Sequence, residues 1–255
     1  MQNKKLTDPL DKMEGNGMSN VSRRKFINYA GLSASALLLA TSCSKKLDET
    51  MGENSMMQRN GNVNSEGGGK DGGKAVVNLG SGDIGILNYA FALEQLEAAF
   101  YIKVIATPYS GMSDKEREYL TDIRDHEIAH REFFRNALGD ARIGGLILDF
   151  STIDFNSRSS VLETAKAFED LGVSAYNGAG ELLQSAQYLL LAGKIVSVEA
   201  RHAAAIRDFL SYGSFADSTV INSMGLDVYR TPPEVLAIAD KYISTRILSQ
   251  NLPTS

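Results

Sequence analysis

The pattern Glu-x-x-His occurs twice in this chain, as Glu127-x-x-His130 within HEIAH (126–130) and as Glu199-x-x-His202 within EARH (199–202). Two of the three histidines therefore follow a glutamate at the same short interval. Three residues is just under one helical turn, so each pair projects from one helix face and can grip a single ion. One copy would be ordinary charged helix surface. Two copies constrain the chain more tightly, because they ask for a fold that turns two such faces toward each other.

The surrounding sequence supplies the helices. Residues 83–106, DIGILNYAFALEQLEAAFYIKVIA, are apolar around most of the helical circumference, which predicts one long buried helix. Ser113-x-x-Glu116 is a capping-box signature that opens a second helix, with its stop at Gly139. Residues 139–159 mix Gly, Asp, Ser and Asn with the apolar clusters LILDF and IDF and read as a long ordered crossover. Ser160-x-x-Glu163 predicts the start of a third helix, running to about Asn177, where NGAGE breaks it. A fourth helix is expected from Leu182 to Tyr212, and a short one after Pro232-Pro233. Short, long and short connections fit an all-α four-helix bundle with one long crossover between helices two and three, the ferritin-like wiring.

The first and third helices offer matching carboxylates. LEQLEAAFY places Glu94 seven residues before Tyr101, and FEDLGVSAY places Glu169 seven residues before Tyr176. The chain thus reads as two helix pairs, each Glu…Tyr followed by Glu-x-x-His, a weak repeat of roughly 75 residues that implies a pseudo-two-fold bundle. Glu94 lies among Leu87, Phe91, Ala98, Tyr101 and Ile105, an apolar face. Four buried carboxylates facing one another would be prohibitive unless cations compensate them. A mixed oxygen and nitrogen donor set suits iron or manganese better than zinc. Glu97 is the alternative to Glu94; the repeat favours Glu94, because the third-helix position matching Glu97 is Gly172. His126 has no counterpart in EARH and is read as a partly exposed neutral histidine. Arg201 and Arg207 are read as helix-surface cations.

One Glu from each of two helices and Glu-x-x-His from each of the others resembles the ferritin-like di-iron carboxylate proteins. ILNYAFALEQLEAAFY, DHEIAH, LGVSAY and VEARHAAAIR further resemble the branch that includes plant desiccation-related proteins and many exported bacterial proteins. This likeness covers residues 83–212. It implies a dinuclear iron (or manganese) centre with ligands Glu94, Glu127, His130, Glu169, Glu199 and His202, and with Glu127 and Glu199 bridging. Tyr101 and Tyr176 resemble tyrosines that stand behind the ligands and bond carboxylates or pass electrons; the alternative is core tyrosines with satisfied hydroxyls. Glu97 is expected to join them behind the ligands.

The chain before the bundle speaks to location. SRRKFI (22–27) is a twin-arginine pair followed by an apolar, small-residue run that ends at Cys43. These are the parts of an export signal, and the run is too short and Ala/Ser-rich for a membrane span. ATSC (40–43) is similar to a bacterial lipid-attachment site, although Ala40 stands where Leu, Val or Ile is usual. Residues 1–42 are therefore expected to be a signal peptide, 43–82 a flexible Gly/Asn/Ser-rich tether and 213–255 a C-terminal extension. The expected destination is the bacterial periplasm or the membrane surface, reached only through a lipid on Cys43; the alternative is a soluble secreted protein with an incidental cysteine.

Composition narrows the partners. Residues 1–42 hold six of the 26 Lys/Arg and three of the 31 Asp/Glu, which leaves 20 and 28 and a net charge of −8. That balance excludes nucleic-acid binding through charge. One cysteine allows no intrachain disulfide and no thiolate cluster, so a redox centre here needs an outside electron donor. The expected partner is oxygen or peroxide, with ferroxidase or peroxidase/catalase-like chemistry, and a homodimer stays open. The alternative function is a non-catalytic, metal-stabilised envelope or stress scaffold.

Overall fold

A computed structural model describes residues 68–71 and 74–254. The expected signal peptide, Cys43 and most of the expected tether lie outside the described residues. Four long helices carry the fold: α1 (Gly82–Ala106), α2 (Asp114–Leu138), α3 (Arg158–Gly180) and α4 (Ala186–Leu210). A short α5 (Pro232–Ala239) follows, capped by Thr231 and Glu234 with proline in its first turn. A small sheet in the order β1-β2-β3 joins β1 (Gly68–Asp71) antiparallel to β2 (Lys74–Asn78), and β2 parallel to β3 (Arg246–Leu248). None of the helices among the described residues is long and apolar enough to cross a membrane.

Helix α1 is the most buried of the four long helices. Ile86, Tyr89, Phe91, Leu93, Leu96, Phe100, Tyr101 and Val104 leave it on several sides, and all are buried. Its all-round apolar surface is what a helix packed by neighbours on every face requires. It packs chiefly on α2, and α3 chiefly on α4, so the bundle consists of two helix pairs. Ser113 and Glu116 form the expected capping box at the start of α2. Arg158 then ties three ends together: its Nε donates to Glu116 (2.6 Å) and its Nη2 to the Phe209 carbonyl at the end of α4 (2.8 Å).

The crossover between α2 and α3 is ordered by polar anchors on α1. Asn88 donates to the Leu79 and Ala141 carbonyls and accepts from Ile143 N, while Gln95 accepts from Leu146 N. Such satisfaction lets a long non-helical segment lie against a core helix without orphaned peptide groups.

Several boundaries differ from the sequence reading. Strands β1 and β2 form inside the segment expected to be tether. Val76 and Val77 are β-branched, and the β2 ladder is completed by residues 246–248, far along the chain. Helix α3 is capped by Ser157, not Ser160, whose hydroxyl is taken by Asp154 N (3.0 Å). It also continues through NGAGE to Gly180. A Cβ at Gly178 would lie 1.9 Å from the Arg230 carbonyl oxygen, so glycine there serves a close approach of the C-terminal segment instead of a break. Arg207 is not a surface cation. It is 5% exposed and pairs with Asp170 (2.7 Å) and Asp217 (3.1 Å), fastening the C-terminal extension to α3 and α4.

Candidate metal centre

Each helix contributes one fully buried glutamate at mid-length. Glu94 (α1), Glu127 (α2), Glu169 (α3) and Glu199 (α4) are all 0% exposed and point into the space between the helices. The two histidines stand one turn further along α2 and α4. His130 Nδ1 lies 2.9 Å from Glu199 Oε1 and 3.5 Å from Glu94 Oε2 and Glu127 Oε2. His202 Nδ1 lies 2.8 Å from Glu127 Oε1 and 3.4 Å from Glu169 Oε2.

These atoms fall into two sets, each with every donor within 4.8 Å of the others. One set is Glu94, Glu127, His130 and Glu199; the other is Glu127, Glu169, Glu199 and His202. Glu127 and Glu199 belong to both. Glu127 turns Oε2 to the His130 side and Oε1 to the His202 side.

The tyrosines lock this arrangement reciprocally. Tyr101 of α1 donates to Glu169 Oε1 of α3 (2.5 Å), and Tyr176 of α3 donates to Glu94 Oε1 of α1. Each bond occupies one carboxylate oxygen and leaves the other facing the centre. Both hydroxyls are satisfied, so the core role and the carboxylate-orienting role coincide.

Electrostatics identifies what is missing from a purely protein account. Burial, joined by the neighbouring carboxylates, pushes Glu97 and Glu199 well above the usual carboxylate range and raises Glu169. Burial likewise carries Glu94 up to about 7 despite His130 and Tyr176. Burial opposes the ionised form of Glu127 too, yet its two histidine neighbours bring it down to about 2. Burial disfavours protonated imidazole, but the carboxylates around them lift His130 to about 12 and His202 to about 11. On protein groups alone, then, the site must retain protons to be tolerable.

Even so, eight ligand-type atoms meet one another without proper hydrogen-bond geometry, the close histidine–glutamate contacts included: Glu94 Oε2, Glu169 Oε2, both oxygens of Glu127 and of Glu199, and Nδ1 of both histidines. Buried polar atoms are almost always partnered, and here eight converge on one spot. This donor set fits divalent cations, which would satisfy these atoms and replace the retained protons.

Glu94 and Glu97 stand differently to the cluster. Glu94 joins a donor set, whereas Glu97 does not. Glu97 is only 3% exposed and sits beside Gly172, where a Cβ would meet Glu97 Oε1 at 2.9 Å. His126 is exposed, and burial together with His202 and His130 lowers its pKa, consistent with a neutral ring. It is not a bystander, however, because its Nδ1 lies 2.8 Å from Nε2 of His202. Sequence reasoning missed that contact because His126 and His202 are on different helices and only the packing of α2 on α4 joins them.

A helical bundle in which four helices surround a buried Glu/His cluster able to hold metal is the ferritin-like class of architecture. Residues 82–212 match the model of the ferritin-like domain, and the chain belongs to this family. No curated protein matches the chain.

Proposed function

We propose that this protein binds a dinuclear iron (or manganese) centre through Glu94, Glu127, His130, Glu169, Glu199 and His202 and uses it for oxidation chemistry with oxygen or peroxide. The observation that carries this reading is the convergence of eight ligand-type atoms in two sets that share Glu127 and Glu199. Two divalent cations would balance the charge of the four ligand carboxylates. Such a pair, when bound, supplies Lewis-acid and redox chemistry at a single buried point.

The chain's own residues orient, exclude and select. Tyr101 and Tyr176 hold Glu169 and Glu94 with one oxygen each turned inward. The four helices keep water from the carboxylates. A cavity of about 30 Å³, lined by Leu93, Tyr89, Ala175 and Ile195, adjoins Tyr176. It has room for a few water-sized molecules (about 10–15 Å³ each) and suits a small oxidant, not a bulky substrate.

The twin-arginine segment and Cys43 support export of the folded protein and attachment through lipid. Under this reading the acidic body stays outside the cytoplasmic membrane and takes electrons from a separate donor.

The test is metal analysis of protein purified from its own envelope, followed by peroxide or oxygen addition to the loaded protein. Two ions per chain and metal-dependent oxidant consumption are expected. Absence of metal overturns the centre. Metal without turnover, with E127A/E199A lowering Tm and changing no oxidation, shows a metal-stabilised scaffold instead.

A further inference from the structure

His126 and His202 present a geometry that the ligand set does not use. The two imidazoles are nearly coplanar, at 11°, with centroids 5.1 Å apart and Nδ1 of His126 2.8 Å from Nε2 of His202. Face-to-face stacking would place the rings much closer through their π surfaces. The observed centroid separation is the N···N distance plus one ring radius on either side, so the rings meet edge to edge through an in-plane hydrogen bond. His202 keeps its other nitrogen, Nδ1, on Glu127 and Glu169. With a metal on Nδ1, His202 would be neutral, carry its proton on Nε2 and donate outward to His126 Nδ1. His126 would then hold its own proton on Nε2, at the exposed edge of α2.

Among the described residues, His130 has no such partner behind it. His126 directly precedes Glu127, and the residue that directly precedes Glu199 is Val198, which offers no acceptor. The two donor sets match in their glutamates, tyrosines and histidines, yet only the set containing His202 has its imidazole held from behind. Outer partners of this kind fix the tautomer and ring orientation of a ligating histidine, and their removal typically weakens metal binding about 10–100-fold.

The geometry assigns His126 as a positioning residue for His202, which makes the Glu127/Glu169/Glu199/His202 set the tighter of two unequal metal positions. This assignment rests on the proposed dinuclear centre and specifies how its two halves differ. His126 touches no reacting atom and acts only through the ring behind which it stands.

The test is a stepwise Mn(II) titration of the full-length protein, followed by electron paramagnetic resonance. The wild type is expected to show a mononuclear signal near one equivalent, replaced by a coupled signal near two. In H126F, which removes the acceptor and keeps a ring at the surface, the first dissociation constant is expected to rise about 10–100-fold, with the second changed far less. H126Q, whose amide oxygen can accept from Nε2–H, is expected to recover most of that loss. In an H202A background H126F is expected to cost nothing more.

An unchanged first constant in H126F, equal weakening of both positions, or a full H126F effect on top of H202A each overturns the assignment. A wild type that takes up no Mn(II) overturns the dinuclear centre, and the assignment with it. Wild-type uptake of two ions with an indifferent H126F overturns the assignment alone. Should H126F fail to fold, H126Q and H126A carry the same comparison.

Discussion

The two helix pairs of this protein share one ligand frame and diverge at two places beside it. Both halves supply Glu…Tyr and Glu-x-x-His, and each tyrosine reaches across to the other half's first glutamate. They diverge where Glu97 faces Gly172 and where His126 stands in place of Val198. The shared residues are those whose atoms converge at the centre, and the unshared ones lie just behind them. A duplicated ligand frame is thus compatible with two chemically distinct positions, because identity of first contacts does not impose identity of their supports.

The severest way to break the comparison is to remove what the halves hold jointly. Glu127 and Glu199 belong to both donor sets, so E127A/E199A is expected to abolish metal uptake at both positions, read as ions per chain. The metal-induced rise in stability should vanish as well. That rise is about 4 kcal/mol for the wild type at metal concentrations 1,000-fold above Kd, visible as a Tm shift. Retention of one ion would mean that the two sets are independent.

Y101F and Y176F sharpen the pseudo-symmetry. Each removes one bond to a carboxylate, from Glu169 or from Glu94, and frees an oxygen that must then be satisfied elsewhere. Each is expected to weaken one metal position about 10–100-fold and spare the other, Y101F acting on the His202 side and Y176F on the His130 side. Two-step metal titration of both variants checks this. Identical profiles would show that the tyrosines do not discriminate between the halves.

Gly172→Ala probes the first point of divergence. The new methyl group would meet Glu97 Oε1 at 2.9 Å and Glu199 Oε2 at 3.4 Å. The expected cost is about 1–3 kcal/mol of unfolding free energy in chemical denaturation. Adding Glu97→Ala should return part of it, since the clash is with a side-chain tip. A fully additive double variant would place the strain elsewhere in the backbone.

How much of this was legible in the sequence follows from which interactions are local. Helix identity, the Ser113/Glu116 cap and both Glu-x-x-His pairs depend on residues within a turn of one another, and all of them appear in the structure. The repeat carried the argument further, because matching Glu94…Tyr101 with Glu169…Tyr176 ranked Glu94 above Glu97 without coordinates. Long-range partnerships were out of reach. The β2–β3 pairing, the Arg207 link to Asp170 and Asp217, the passage of Arg230 over Gly178 and the His126–His202 bond each join segments that no periodicity relates. Arg207 shows the physical reason most plainly. Its position on α4 reads as surface until the C-terminal segment covers it, and the sequence of α4 has no information about that cover.

The smallest expected effect concerns protons and separates metal-free from metal-loaded protein. Burial raises Glu94 from an ordinary 4.5 to about 7, so its neutral form is favoured by the folded state. A group with a raised folded pKa contributes stability that is complete below its unfolded value and is lost as pH climbs through the folded one. Protein stripped of metal should therefore lose stability as pH rises from about 4.5, through about 7 for Glu94, with Glu97, Glu169 and Glu199, also raised, adding in the same direction and the raised His130 and His202 extending the loss above pH 6.5. Metal reverses the preference, since ligation demands the ionised carboxylate and releases protons, and affinity should climb as pH rises over the same window. Denaturant midpoints measured with chelator and with excess Mn(II), at intervals from pH 5 to pH 8, should therefore diverge as pH increases. Parallel curves would mean that the buried carboxylates are balanced by protein groups alone, in both halves alike.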